Sequence, residues 1–353
     1  MKKTIGLGLA LQLAVLAPAF AQTKAPELYP PIEPLRSGYL RVSPMHELYW
    51  EVCGNPSGIP VIVLHGGPGG SAGPEMRRFF DPRRFYVLLF DQRGAGRSRP
   101  AGEWRDNTTQ LLIEDVNTLR RHVGIEGRAI LFGGSWGTTL ALAYAEAHPD
   151  LVSGIVLRGV FLGTRAEIDH FYHGGAATLF PDNWERLKSI LPRPASLDYP
   201  RQLFEMATGS DPEARRKAIE AWAYYEIRMA SVGMTDEQAQ ALLGQYKDEL
   251  MPFSVLENYY MMHGCFLEDG QLLRDAKRIA HIPTFIVHGR FDAVCWPRSA
   301  YELSKALTRV RLELPPATGH SQGEPANTQG LLRGVEWVAE EMARERPAAV
   351  GVH

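Results

Sequence analysis

The sequence is poor in cysteine: 353 residues contain three, Cys53, Cys265 and Cys295. An odd number cannot pair completely within one chain, and a disulfide-framework protein carries more, so the fold does not rest on bridges. There is no C-x-x-C and no H-E-x-x-H, so no common metal-ligand spacing and no metal or organic cofactor is expected. A surplus of one charge sign is missing as well, with 38 Lys and Arg against 40 Asp and Glu. That argues against nucleic acid as a partner held by a basic field. No internal repeat, no G-x-G-x-x-G and no G-K-[ST] is present. The 45% hydrophobic and 22% charged content is an ordinary globular mixture. Such a length buries a full core as one large domain or two ordinary ones.

Long apolar runs are also absent, except at the start. Lys2 and Lys3 precede an apolar stretch from Ile5 to about Ala17, broken only by Gln12, and Ala19-Phe20-Ala21 follows. A basic start, an apolar middle and small residues at the cleavage positions predict an export signal over residues 1–21, cut near Ala21. The alternatives are a buried first helix or an uncleaved anchor, but the run is short and glycine-bearing for a bilayer span. Removing two lysines and no acid takes the net charge from −2 to −4. The mature protein is expected to be soluble, without a membrane span, and periplasmic. Residues 22–35, with Ala25-Pro26, Pro30-Pro31 and Pro34, read as an extended arm rather than packed structure.

From Gly38 the pattern turns to strand. Tyr39–Val42 and Glu47–Val52 alternate as an antiparallel pair would. Short, wholly apolar runs follow: Val61–Leu64, Tyr86–Phe90, Ala129–Phe132, Gly154–Leu157 and Pro283–Val287. Such runs suit a sheet buried on both faces. Val310–Leu314 alternates instead, as an edge strand does. Helical spacing at Leu111–Val123, Thr138–His148 and Ser299–Thr308 separates several of them. Strand–helix alternation predicts an α/β fold, a mostly parallel sheet with flanking helices. The alternation stops over residues 163–280, which are rich in Trp, Tyr and Met, with helical spacing at Glu213–Ala230 and Asp236–Tyr246. A helical cap inserted between two strands of a core made of residues 36–162 and 281–353 is the simplest organisation. The tail from about Arg344 is expected to fray.

Gly133-Gly134-Ser135-Trp136-Gly137 matches G-x-S-x-G directly between an apolar strand and a helix, the context of a nucleophile elbow. The bland alternative is a glycine-rich turn with an inert serine. A serine needs a base and an orienting acid, met in the chain order Ser, acid, His. Asp292 follows the strand Pro283–Val287, where open α/β sheets hold their ligands. His320 follows Val310–Leu314. Asp269 and Asp275 compete from within the cap, and His65, His263 and His288 compete as bases; His288, at a strand end, reads as structural. His65-Gly66-Gly67-Pro68-Gly69-Gly70 follows Val61–Leu64 and can aim backbone amides at an oxyanion. Gly67 and Trp136 are the natural pair. A tight turn with a cis Gly67–Pro68 bond is the plain alternative.

His65–Gly70, Asp91-Gln92-Arg93-Gly94-Ala95-Gly96-Arg97-Ser98 and Gly133–Leu140 together resemble the proline iminopeptidases, or prolyl aminopeptidases. These are serine peptidases of the α/β-hydrolase fold that remove an N-terminal proline. Glu257-Asn258-Tyr259-Tyr260 and Gly289–Cys295 strengthen the likeness, which runs from about Arg36 to Met342. The resemblance implies Ser135, Asp292 and His320 as the triad, in agreement with the order read above. It implies that Glu226 and Glu257 hold the substrate's free amine. Two carboxylates at a blind end would satisfy both N–H donors of a prolyl ammonium and stop a longer peptide threading through. A solvated helix face is the bland reading of either glutamate. By the same resemblance Phe161 and Cys295 line a slot for the proline ring, with Trp136 and Tyr225 as neighbours. The implied partners are small peptides or amides beginning with proline. The family's members are commonly cytoplasmic and lack a signal, so the export signal is a departure. A carboxylesterase or general amidase would need the triad without the two glutamates. A non-catalytic binding protein of the same fold would need neither. Oligomeric state is not legible in the sequence.

Overall fold

The computed structural model describes residues 27–192 and 198–345. The expected export signal lies outside them, as does the tail past Glu345. Eight strands form one sheet: β1 Arg36–Arg41, β2 Glu47–Gly54, β3 Ile59–Leu64, β4 Phe85–Phe90, β5 Ala129–Gly134, β6 Val152–Arg158, β7 Thr284–Val287 and β8 Val310–Glu313, in the order β1-β2-β4-β3-β5-β6-β7-β8. β1 and β2 are antiparallel, and β4, β3, β5, β6, β7 and β8 run parallel. This is the mostly parallel α/β sheet that the strand–helix alternation predicts, with the alternating β8 at an edge.

Strand alternation divides the core. Ile62 and Leu64 of β3, Leu88 and Phe90 of β4 and Leu131 of β5 face one apolar cluster. Their neighbours Val61, Val63, Val87, Leu89, Ile130 and Phe132 face the other. Burial on both faces is why these runs carry no polar residue. Each fully buried Val, Leu, Ile or Phe contributes roughly 1.5–3 kcal/mol. The first cluster is covered by α1 (Thr109–His122), α2 (Trp136–Ala147) and residues of the long helical segment between β6 and β7. That segment comprises α3 Arg165–Tyr172, α4 Gly175–Leu179, α5 Pro181–Lys188, α6 Tyr199–Thr208, α7 Pro212–Ala230, α8 Asp236–Gln245, α9 Leu250–Met262 and α10 Gln271–Asp275. Among the described residues no strand lies between Arg158 and Thr284. α11 (Pro297–Ala306) follows β7, and α12 (Pro325–Glu345) covers the second cluster. The sequence reading passed over α12, although Leu331, Val335 and Val338 recur on its buried face. Among the described residues no helix is long and apolar enough to cross a membrane.

The N-terminal segment corrects the reading of an unpacked arm. Residues 27–35 have no regular secondary structure, yet Leu28 and Ile32 pack on the second cluster. The Tyr29 amide donates to the Arg78 carbonyl at 2.9 Å, and Arg77 donates to the Ile32 carbonyl at 3.0 Å. Proline blocks helix and strand ladders but not side-chain burial.

One buried acid in this frame has a stability consequence. Both carboxyl oxygens of Glu146, in the last turn of α2, are buried without a hydrogen-bond partner among the described residues. Burial, with the nearby Asp275 charge, pushes its pKa up to about 8 from an ordinary 4.5. The folded state then holds a proton that the unfolded chain releases. Stability from this group is complete below the unfolded pKa and is lost as pH rises through the folded one, by roughly 1.4 kcal/mol per pH unit. Glu146→Gln should therefore gain in Tm relative to the parent chain between pH 5 and pH 8. Melting curves that stay parallel across that window would show that Glu146 is not protonated in the fold.

Candidate active site

β5 ends at Gly134 and α2 begins at Trp136, so Ser135 alone makes the turn, at φ 57° and ψ −128°. That is a strained backbone for a residue with a side chain. It is held by the Ser135 amide donating to the Arg158 carbonyl at 2.8 Å and by the Thr138 amide donating to the Ser135 carbonyl at 2.8 Å. The flanking glycines are required sterically. A Cβ at position 133 would strike the Gly137 carbonyl, and one at 137 would strike the Leu64 carbonyl.

The loops after β7 and β8 bring Asp292 and His320 together, with His320 Nδ1 2.8 Å from Asp292 Oδ2. Asp292 Oδ1 accepts the amides of Val294 and Cys295 at 3.0 and 2.8 Å. Burial alone would raise the Asp292 carboxyl, but His320, His288 and the Cys295 amide outweigh it and hold it below the ordinary carboxylate range. An ionised Asp292 takes the Nδ1–H, leaving Nε2 of His320 as the acceptor. His288 has a structural place: its Nδ1 accepts the Val160 amide at 3.0 Å and its Nε2 donates to the Cys295 carbonyl at 3.0 Å.

His320 Nε2 accepts from Arg158 Nη1 at 3.0 Å, and the same Nη1 donates to the His320 carbonyl at 2.9 Å. Among the described residues the Ser135 hydroxyl makes no hydrogen bond. Asp292 and His320 are thus coupled to each other, and His320 is hydrogen-bonded to Arg158 rather than to Ser135. The sequence reading missed Arg158. Its signal was a lone charge directly after the apolar run Gly154–Leu157. Its guanidinium is buried, and burial lowers its pKa against the opposing pull of Asp292, Cys295 and Glu226.

The glycine-rich loop lies against the serine, and a Cβ on Gly66 would sit 3.2 Å from Ser135 Cβ. Gly67 has φ 111°, the Gly67–Pro68 peptide is cis, and the Gly70 amide donates to the Gly66 carbonyl at 3.3 Å. The Trp136 amide is the first of α2, with no partner inside the helix and the positive end of the helix dipole behind it.

A small, narrow cleft is lined by Gly67, Ser135, Phe161, Phe171, Glu257 and Cys295. Ser135 and Glu257 thus line one small cleft. The carboxyls of Glu226, on α7, and Glu257, on α9, lie within electrostatic reach of each other, and Glu226 is not among the residues that line the cleft. Glu257 Oε2 accepts Trp222 Nε1 at 2.8 Å, and Glu226 Oε2 is buried without a partner among the described residues. Burial first, and then the Glu226 charge, raises the Glu257 carboxyl well above its ordinary range. Burial also raises Glu226. Two expectations are corrected. The Tyr225 hydroxyl donates to the Phe171 carbonyl at 2.9 Å and its ring is buried behind Phe171, so Tyr225 does not line the cleft. The Trp136 indole turns away too, donating to Gln92 Oε1 at 2.9 Å and packing on Tyr260. Phe171 and Met261 take part in the lining instead. Met261 was findable, one helical turn after Glu257. Phe171 has no distinguishing mark in an amphipathic helix. Among the described residues no group of three His, Cys, Asp or Glu could hold a metal ion.

The family model for the alpha/beta hydrolase fold matches residues 59–324. A proline iminopeptidase of Xanthomonas citri is 44% identical over 315 residues, covering 88% of this chain and 99% of that one. Another, of Arabidopsis thaliana, is 44% identical over 313 residues, covering 86% of this chain and 80% of that one. The crystal structure of proline iminopeptidase from Mycobacterium smegmatis superposes with a TM-score of 0.59 at 20% identity, covering 88% of this chain and 100% of that chain. A likeness at that identity speaks for the fold, and the sequence relatives speak for the family. This chain belongs to the α/β-hydrolase fold and, within it, to the proline iminopeptidase family.

Proposed function

We propose that this protein is a prolyl aminopeptidase, a serine exopeptidase that releases proline from the N-terminus of small peptides and amides. The observation that carries the reading is the small cleft that Ser135 and Glu257 line together, with Glu226 within electrostatic reach of Glu257. In this reading the prolyl ring enters between Phe161, Phe171 and Cys295, which line the cleft beside Ser135. Its ammonium meets the two carboxyls, and its carbonyl carbon meets Ser135. His320 Nε2 exchanges Arg158 for the Ser135 hydroxyl and takes its proton as Oγ attacks that carbon. Asp292 steadies the imidazolium. The amides of Gly67 and Trp136 hold the oxyanion. The C–N bond breaks as the leaving amine takes the proton from His320, and water then cleaves the prolyl ester by the same route in reverse. A longer chain cannot thread past the glutamates, which makes the enzyme an exopeptidase.

The test compares kcat/KM for prolyl-naphthylamide, N-acetyl-prolyl-naphthylamide and a simple naphthyl ester. Rapid turnover of the first alone is expected. Equal turnover of the acetylated amide or the ester would replace this reading with a general amidase or a carboxylesterase.

Export belongs to the same reading, supported by Lys2, Lys3, the apolar run to Ala17 and Ala19-Phe20-Ala21. N-terminal sequencing of the native protein should begin at Gln22, in the periplasmic fraction. An intact Met1 start in the cytoplasm would reject it.

A further inference from the structure

We propose that Gln92 is a positioning residue that sets the spacing between the two halves of the oxyanion hole, a proposal that rests on the roles assigned above to Gly67 and Trp136. The two amides follow different strands, Gly67 in the loop after β3 and Trp136 at the start of α2 after β5. β3 and β5 are paired only as far as Leu64 and Gly133, so the ladder stops short of both donors. Past that point the glycine-rich loop and the serine turn need another tie.

Gln92 is buried in the loop after β4 and spends both ends of its side chain on this tie. Its Nε2 donates to the His65 carbonyl at 3.0 Å, and its Oε1 accepts the Trp136 indole N–H at 2.9 Å. Its backbone amide donates to His65 Nε2 at 2.9 Å. That bond puts the His65 proton on Nδ1, which faces the Gly66 carbonyl at 2.8 Å. A continuous path therefore runs from Trp136 through Gln92 and His65 to the peptide that precedes Gly67. The carboxamide is planar and rigid, with a donor on one side and an acceptor on the other, so it fixes a distance as well as a contact. Its loop is itself anchored. Asp91 accepts the amides of Ala72 and Arg97 at 2.8 and 2.9 Å and the Arg97 guanidinium at 2.6 Å.

Oxyanion donors act only within a few tenths of an ångström of their target, and a misplacement of about 1 Å costs about 10²-fold in rate. A residue that sets their spacing should change kcat and leave substrate binding alone. Gln92→Ala is expected to lower kcat for prolyl-naphthylamide about 10- to 100-fold with KM within about threefold. Pyrrolidine-2-boronic acid, whose serine adduct places an oxygen in the hole, should lose affinity by a similar factor. Inhibition by proline, which forms no adduct, should be unchanged. Gln92→Glu keeps the shape but turns an acceptor toward the His65 carbonyl, and should behave like the alanine variant. Trp136→Phe removes one hydrogen bond, keeps the amide, and gives a reading if the Gln92 variants fail to fold. It should cost about 3- to 10-fold in kcat, with little further loss in the Gln92→Ala background. Unchanged boronate affinity in Trp136→Phe and in folded Gln92 variants would overturn the proposal, as would losses confined to KM and proline affinity. Failure of the boronate to inhibit the parent enzyme would overturn the serine mechanism and the proposal together.

Discussion

Ser135→Ala should lower kcat for prolyl-naphthylamide by about 10³-fold or more, with KM within about threefold. Alanine removes the nucleophile and little else, because the turn is held by backbone bonds to Arg158 and Thr138 that survive the change. The residual rate should come from the oxyanion donors and from binding. Adding His320→Ala to this variant should cost little more, since nucleophile and base act as a unit. Steady-state kinetics at saturating substrate, normalised to the concentration of folded protein, gives the comparison. Turnover within tenfold of the parent would remove Ser135 from the chemistry.

Glu257→Gln and Glu226→Gln should each lower kcat/KM for prolyl-naphthylamide by about 10- to 100-fold, or ~1.5–3 kcal/mol for a charge-assisted bond lost. A neutral naphthyl ester, which offers no ammonium, should lose far less. Equal losses on both substrates would indicate damage to the fold instead. The pair also dictates a pH dependence. Burial raises both carboxyls and the Glu226 charge raises Glu257 further, so the empty pair keeps a proton to higher pH than ordinary carboxylates do. A protonated carboxyl has lost its charge and holds an ammonium less tightly than a carboxylate does. KM should therefore fall as pH rises through the raised pKa of the pair, and this limb should flatten in either glutamine variant. A KM profile that is flat in the parent enzyme would mean that the pair is already fully ionised when empty.

Much of this was legible in the chain. The apolar runs mark strands buried on both faces, because a period-two pattern needs only local backbone geometry. Gly133, Ser135 and Gly137 mark the elbow because the close approach to Leu64 admits no Cβ. Asp292 and His320 could be picked out because each follows a strand, and strand ends in a parallel sheet converge on one edge. The Pro-rich segment was misjudged because composition reports the backbone available to a residue and not the surface it meets. Tyr225 was misplaced because adjacent positions on α7 differ by about 100° in direction, so Glu226 and its neighbour cannot face the same way.

The sequence by itself determined the strand–helix alternation, the serine turn and the order of acid and base, since each depends on spacing within one element and the loop that follows it. The tertiary structure alone decided which groups meet across elements. It brought Glu226 of α7 within electrostatic reach of Glu257 of α9, set Arg158 on Nε2 of His320, and tied His65 to Trp136 through Gln92. Those contacts follow from the strand order β4-β3-β5-β6 and from how the helices pack over it, and neither is encoded in any local period.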